Sequence, residues 1–282
     1  MKRVAVVTDS ASDLDPASVE ALGVAVIALE AHPPDAPPDP VEVCFEPPTP
    51  RGGVMTVTRV EVDPLTESFV RTYERLAEAA DGIISVHVSA RLSGACAAAR
   101  CARERLRGLL PIEVVDSGAA GIQLGFIVRR IAQAAGRGAT LAELELLTRR
   151  ASANVHAMFF AESLDQISRS PRWGRDRAWP IHGNGTRPLL YVEDGELKPL
   201  ERVRTKARGY DRLAEFVELF PHVDALAIVH DLAPSEVELV LRRIAPLYPR
   251  DRIIFGAYGP TLRSQLGPHA IGVSVDQGIG GD

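Results

Sequence analysis

Small hydroxyl residues gather at three points where a run of apolar residues ends. They are Thr8 and Ser10 around Asp9 after Val4–Val7, Ser89 and Ser93 after Ile83–Val88, and Ser117 between Asp116 and Gly118 after Ile112–Val115. In a parallel sheet, ligands bind beyond the carboxyl ends of the strands, where loops lead into helix N-termini. The Ser93–Gly94 step is the most informative. A helical pattern begins there, so the hydroxyl and the free backbone N–H groups of a first turn would converge on one anion, a carboxylate or a phosphate. Ser93 suits a plain helix cap equally well. It lacks the G-x-S-x-G elbow, and no histidine is placed by sequence to activate it, so a serine hydrolase or acyl transferase is the lesser reading.

Other reactive residues give weaker signals. Seven histidines, at positions 32, 87, 156, 182, 222, 230 and 269, show no HExxH or HxH spacing, and no metal site is expected. His87 lies inside a strand pattern and reads as a satisfied core residue rather than a base. Gly118–Gly121 and Gly183–Gly185 lack the spacing of a nucleotide-binding loop. Arg169, Arg172, Arg175 and Arg177 form one basic cluster, and Arg202, Arg204, Lys206 and Arg208 another; together they could dock an acidic or phosphate-bearing partner. Cys44, Cys96 and Cys101 fit neither a zinc site nor a CxxC motif, which points to a reducing cytoplasm, with Cys96 and Cys101 as small packing residues.

The elements that would position these residues alternate. Strand patterns at Val4–Val7, Val24–Leu29, Ile83–Val88 and Ile112–Val115 are interleaved with helical ones. Asp15–Pro16 and Asp63–Pro64 open two of the helices, and Leu65, Phe69, Val70, Tyr73, Leu76 and Ala77 trace one helical face. A helix follows from Gly94 to Arg107, another from Ala119 to Ala135, and a third after Thr140. This order implies a mostly parallel sheet. The second half differs. His156–Ala161 could start a new sheet, and Leu189–Glu193 with Glu196–Leu200 forms a hairpin about Asp194–Gly195. Ala225–Val229, a helix from Pro234 to Ile244 and Arg252–Phe255 then return to a βαβ rhythm. The fold class is therefore α/β with two domains, residues 1–155 and 156–282, the second sheet mixed. The stretch Pro33–Pro50 holds eight of the chain's 21 prolines and reads as an extended surface loop.

Composition narrows the function classes. The 282 residues include 46% apolar and 24% charged side chains, and the formal charge is −5. A net acidic chain of this kind is not expected to bind nucleic acid. No apolar run reaches the ~18 residues of a membrane span, and the opening apolar stretch is too short for a signal peptide.

With these residues placed, the chain resembles the DegV family of bacterial fatty-acid-binding proteins. Val7–Leu14 is similar to the family's TDSTSDL start, Ile84–Ala99 to its ISIHISSKLSGTYQSA segment, and Val115–Ser117 to its strand-ending IDS. Ser163–Trp173 follows SLEYLKRGGRI with the glycines replaced. Arg187–Leu190 stands where the family has KPIL, Arg202–Thr205 where it has KVRG, and Gly267–Pro268 within its HTGPG element. The resemblance covers nearly the whole chain and keeps the motifs in order.

The resemblance implies two α/β domains gripping a long-chain fatty acid, with no other cofactor and no catalytic residue. The acid would be presented to an ATP-binding kinase subunit that makes an acyl phosphate for phospholipid synthesis, with transient contact at a membrane. It implies a carboxylate held by Ser93 and Gly94, by Thr58 with Thr56 second at the TSQPS position, and by Gln265 where relatives carry histidine. Aligning Pro64 with the family proline instead would put Glu61 and Val62 at that hydroxyl position. His269 replaces the last glycine of HTGPG and is a possible substitute donor. Arg172 and Arg204 would face the kinase. A diverged carrier of another amphipathic acid is the alternative.

Overall fold

In the computed structural model, which describes residues 3–29, 64–163 and 185–279, local signals set most element boundaries. Four strands, β1 (Val4–Asp9), β2 (Ala25–Ile27), β3 (Gly82–His87) and β4 (Ile112–Asp116), form an all-parallel sheet in the order β2-β1-β3-β4. Between β1 and β2, Asp15 caps α1 (Pro16–Leu22) by accepting from Ser18 N at 2.9 Å, with Pro16 in the first turn. One face of the sheet carries α2 (Pro64–Ala77) and α3 (Ala95–Arg105), with Phe69, Val70, Tyr73, Ala98 and Ala102 packed on Val7 and Ile83. The other face carries α4 (Ile122–Gly136) and α5 (Leu141–Ser152), the latter opened by a reciprocal capping box between Thr140 and Glu143.

The second sheet contains β5 (Val155–Phe160), β6 (Arg187–Glu193), β7 (Glu196–Val203), β8 (Ala225–His230), β9 (Ile254–Gly256) and β10 (Ile271–Asp276). Their order is β7-β6-β5-β10-β8-β9, antiparallel throughout except for the β8–β9 pair. Asp194 and Gly195 turn the β6–β7 hairpin with φ of 51° and 76°, the positive angles that an Asp-Gly turn accommodates. Helices α6 (Lys206–Glu218) and α7 (Pro234–Ile244) pack on one face of this sheet through Leu213, Val217, Val240 and Ile244.

Helix α4 lies between the sheets. Ten of its residues are buried, and they run all the way around it, the pattern of a helix with no solvent face along most of its length. It packs on β1 to one side and on β5, β8 and β10 to the other. A single apolar cluster therefore joins Val6 and Val86, Ile127 and Ile131 of α4, and Phe159 and Val229 of the second sheet. Arg130 of α4 adds an ion pair to buried Asp276 at 2.6 Å.

The sequence pattern yields a parallel first sheet and a mixed second one, as found. It did not yield β10, α6 or the short α8 (Pro260–Leu266). In β10, glycine and serine alternate with aliphatics, and Gly272 lies under the Phe159 ring, where any Cβ would collide. A central strand with small residues on one face carries a weak signal. Cys96 is a buried free thiol, but Cys101 is disulfide-bonded, which corrects the reading of Cys101 as a packing residue alone.

Candidate ligand site at the seam between the sheets

Because β1, β3 and β4 run parallel, Asp9, His87 and Asp116 end at the same edge of the first sheet. Asp9 organises that edge. Its Oδ1 accepts from Ala11 N at 3.0 Å, and its Oδ2 accepts from Val88 N at 3.0 Å and from His87 Nδ1 at 2.9 Å. His87 Nε2 lies 2.6 Å from Ser85 Oγ, which accepts from Tyr73 OH at 2.7 Å. A carboxylate only accepts, so Nδ1 carries the imidazole proton, and the chain runs one way: Tyr73 to Ser85 to His87 to Asp9. All four residues are fully buried, and the Phe69 ring meets His87 edge-on at 4.9 Å. Burial pushes the Tyr73 phenol well above its usual range. His87 is thus the satisfied core histidine that its place in a strand suggested.

The loop beyond β3 is held from both sides. Ser89 N donates to Ala119 O at 2.9 Å, and Asp116 Oδ1 accepts from Gly118 N at 2.9 Å and Ala90 N at 3.3 Å. Ser93 N donates to Ser89 O at 3.1 Å. Ser93 is half-buried, and its Oγ accepts from Ala95 N, the first residue of α3, at 3.2 Å. Its own O–H has no acceptor among the described residues. Gly94 is the N-cap and offers no side chain to the first turn, so α3 begins without a side-chain cap from that residue, beside the Ser93 hydroxyl.

The second domain closes over this loop. Gly195 at the hairpin tip sits so close that a Cβ would collide with Ser89 Oγ and lie 3.5 Å from Gly118 Cα. Arg91 pairs with Glu196 at 2.5 Å across the same contact. The tip brings two acidic groups near an edge suited to an anion, and Lys198 offsets them, reaching Glu193 at 2.6 Å and Asp194 at 2.9 Å. The ammonium holds both carboxyls below their ordinary range. A separate pocket of about 530 Å³, lined by Val4, Val6, Leu22, Leu76 and Ala135, opens at the opposite end of β1. The C-terminal ends of α1, α2 and α4 converge there, with Arg3 and Arg75 also in the lining.

Residues 62–277 match a family model described as an uncharacterised protein of the DegV family. That span is most of the chain. A DegV domain-containing protein of Streptomyces coelicolor is 34% identical over 223 residues, covering 75% of this chain and 76% of the relative. The chain belongs to the DegV family. Two solved DegV structures share its fold. One, from Corynebacterium glutamicum, has a TM-score of 0.77 at 22% identity and covers 98% of both chains. The other, from Thermus thermophilus and reported with fatty acid binding, has a TM-score of 0.76 at 20% identity, covering 98% of this chain and 99% of that one.

On this DegV fold the expected site residues separate. Ser93 and Gly94 stand at the seam as described. Gln265 lies in the last turn of α8, half-buried and with no side-chain hydrogen bond among the described residues. His269 is exposed, in a left-handed conformation at φ 60°, and faces the charge of Glu162. The Glu162 carboxyl is held low chiefly by Arg187, at 2.7 and 2.9 Å. Arg204 is exposed and has no ion pair among the described residues. Thr56, Thr58, Arg172 and the Pro33–Pro50 stretch lie outside the described residues. Sequence reasoning missed that the Asp194–Gly195 turn forms a wall of this seam. The Asp-Gly signal fixed the turn, but nothing local says what the turn touches.

No group of three or more His, Cys, Asp or Glu side chains among the described residues could hold a metal ion. None of the described helices is long and apolar enough to cross a membrane.

Proposed function

We propose that this chain binds a long-chain fatty acid at the seam between two α/β domains, dividing near residue 155, and presents the carboxylate to an ATP-binding kinase. The observation that carries the reading is the half-buried Ser93, whose O–H has no acceptor among the described residues, at the start of α3 beside an inter-domain contact. Family membership supports it, since DegV relatives from Bacillus subtilis and Thermus thermophilus are reported as fatty acid binding and one from Eubacterium eligens is loaded with heptadecanoic acid. Each CH₂ of an acyl tail taken out of water contributes about 0.8 kcal/mol, so the head group need add only orientation. Ser93, Gly94 and Gln265 would supply neutral donors to the carboxylate, joined by Thr58 and Thr56, with His269 at the rim.

In this reading the protein is a carrier and phosphoryl transfer belongs to the partner. Arg204, exposed and unpaired among the described residues, would meet that kinase together with Arg172. A diverged carrier of another amphipathic acid is favoured by one feature, the neutral Gln265 where relatives carry histidine. Organic extraction of protein purified from its host, followed by mass spectrometry of the extract, tests both. A long-chain fatty acid in stoichiometric amount is expected; a different acid supports the diverged carrier, and repeatedly empty extracts overturn the proposal.

A further inference from the structure

Asp13 sits where the two domains touch, away from the hairpin contact. It follows the short 3₁₀ turn Ser10–Ser12 after β1 and adopts φ 50°. Its Oδ1 accepts from Gly259 N at 3.0 Å, joining positions 246 apart in sequence. Gly259 immediately precedes α8, and the fit is tight enough that any Cβ there would collide with the Asp13 carboxylate. The backbone of Gly121 closes the third side, where a Cβ would lie 2.5 Å from Leu262 and 3.1 Å from Asp13 Oδ2. That Oδ2 is buried with no hydrogen-bond partner among the described residues. An ionised carboxylate here is out of water and one partner short.

We propose that Asp13 is a proton-controlled latch fastening α8 to the first domain: protonated, it holds the contact closed, and ionisation loosens it. The surrounding groups do not neutralise it. Asp9, at the end of β1, brings a second carboxylate. Asp15 is engaged by Ser18 at the cap of α1. Arg263 of α8 lies 3.6 Å from Asp231 and stacks over the Tyr258 ring at 5.5 Å, while Tyr258 OH donates to Gly267 O at 3.0 Å. The first turn of α4 carries no charged residue.

The direction of the effect follows from burial. Desolvation raises the Asp13 carboxyl from 3.8 to about 7, outweighing the Gly259 N–H bond that lowers it, and the Asp9 charge adds to the rise. Lifting α8 returns the group to water, where an aspartate loses its proton near pH ~3.9. Opening therefore releases one proton between about pH 4 and pH 7, and the open-to-closed ratio rises about tenfold per pH unit across that window. Above about pH 7 both states are ionised and the ratio levels off. Helix α8 carries Gln265 and leads into Gly267–His269, so the latch sets how readily that side of the seam parts. It operates whatever the seam binds, and its test needs no ligand.

Hydrogen exchange of the full chain between about pH 5 and pH 8, corrected for the intrinsic pH dependence of amide exchange, reads the latch in the amides of residues 261–266. Protection is expected to fall about fiftyfold from pH 5 to pH 7, by about a further factor of two to pH 8, and then to level off. In Asp13→Asn, which keeps an acceptor for Gly259 N but cannot ionise, protection should be high and flat. A flat parent profile, or an unchanged slope in the Asn variant, overturns the proposal. Should that variant fail to fold, carbon NMR titration of the parent's aspartate carboxyls decides. A midpoint near 7 at Asp13 supports the latch, and one near 4 sinks it.

Discussion

Ser85 and Ser93 stand on the same stretch of chain, one inside β3 and one in the loop beyond it, with opposite surroundings. Ser85 has the partners that nucleophilic catalysis asks for, a histidine at 2.6 Å backed by an aspartate at 2.9 Å, but it is fully buried between β3 and α2. Ser93 is within reach of solvent and has a spare O–H, yet its described partner is a backbone N–H rather than a base. An Asp-His-Ser geometry therefore signals chemistry only when a substrate can reach the serine. Here the buried chain fixes the strand ends through Asp9, and the reachable serine is free to donate to an anion.

Breaking the buried half should have the largest effect. Asp9→Ala orphans the N–H groups of Ala11 and Val88 and Nδ1 of His87, and should cost about 3–5 kcal/mol of stability, the range for a disrupted buried polar pair, measured by urea unfolding. Ser85→Ala leaves Tyr73 OH and His87 Nε2 without each other's bridge. About 1–3 kcal/mol of stability should go, with fatty-acid affinity unchanged in the fraction that stays folded. Loss of affinity from a folded Ser85→Ala protein would place the buried chain in the binding machinery and erase the contrast.

The reachable half should respond in the other observable. Ser93→Ala is expected to weaken fatty-acid binding by about 1.5–3 kcal/mol, the range for a hydrogen bond to a charged group. Calorimetric titration with an acid of defined length reads this; unchanged affinity with stability lower by about 1 kcal/mol would reduce Ser93 to a cap. The smallest change concerns Gln265. Gln265→His should keep binding and add a pH dependence that the parent lacks. Affinity should be higher below about pH 6.5, where imidazolium attracts the carboxylate, and lower above it. A parent that already shows that midpoint would mean a native histidine has taken the head-group role.

The sequence made one side of this comparison more legible than the other. The parallel sheet, the mixed character of the second sheet, the helix opened by Asp15 and the hairpin at Asp194 follow from patterns a few residues long. His87 was readable as a core residue because it interrupts an apolar strand. What it touches was not readable, since Asp9 and Tyr73 reach it only through the pairing of β1 with β3 and the packing of α2. The same holds for Gly195 against Ser89 and for Asp13 against Gly259. These contacts join distant parts of the chain through backbone proximity, and glycine leaves no side-chain pattern to mark them. Strand β10 escaped for a related reason, its small residues being shaped by Phe159 on the neighbouring strand.

Helix α4 bears on how the molecule comes apart. Its apolar surface is shared by both sheets within one continuous cluster, so the loss of either half would expose the side of α4 that it covers. Two architectural domains are thereby coupled through one shared helix, although each keeps an apolar cluster of its own on the far face of its sheet. A fragment ending after α5 would leave the side of α4 that meets β5, β8 and β10 facing water, an apolar strip of the kind that drives aggregation. A cut placed between the sheets would leave that strip bare on one piece and the facing side of β5, β8 and β10 bare on the other.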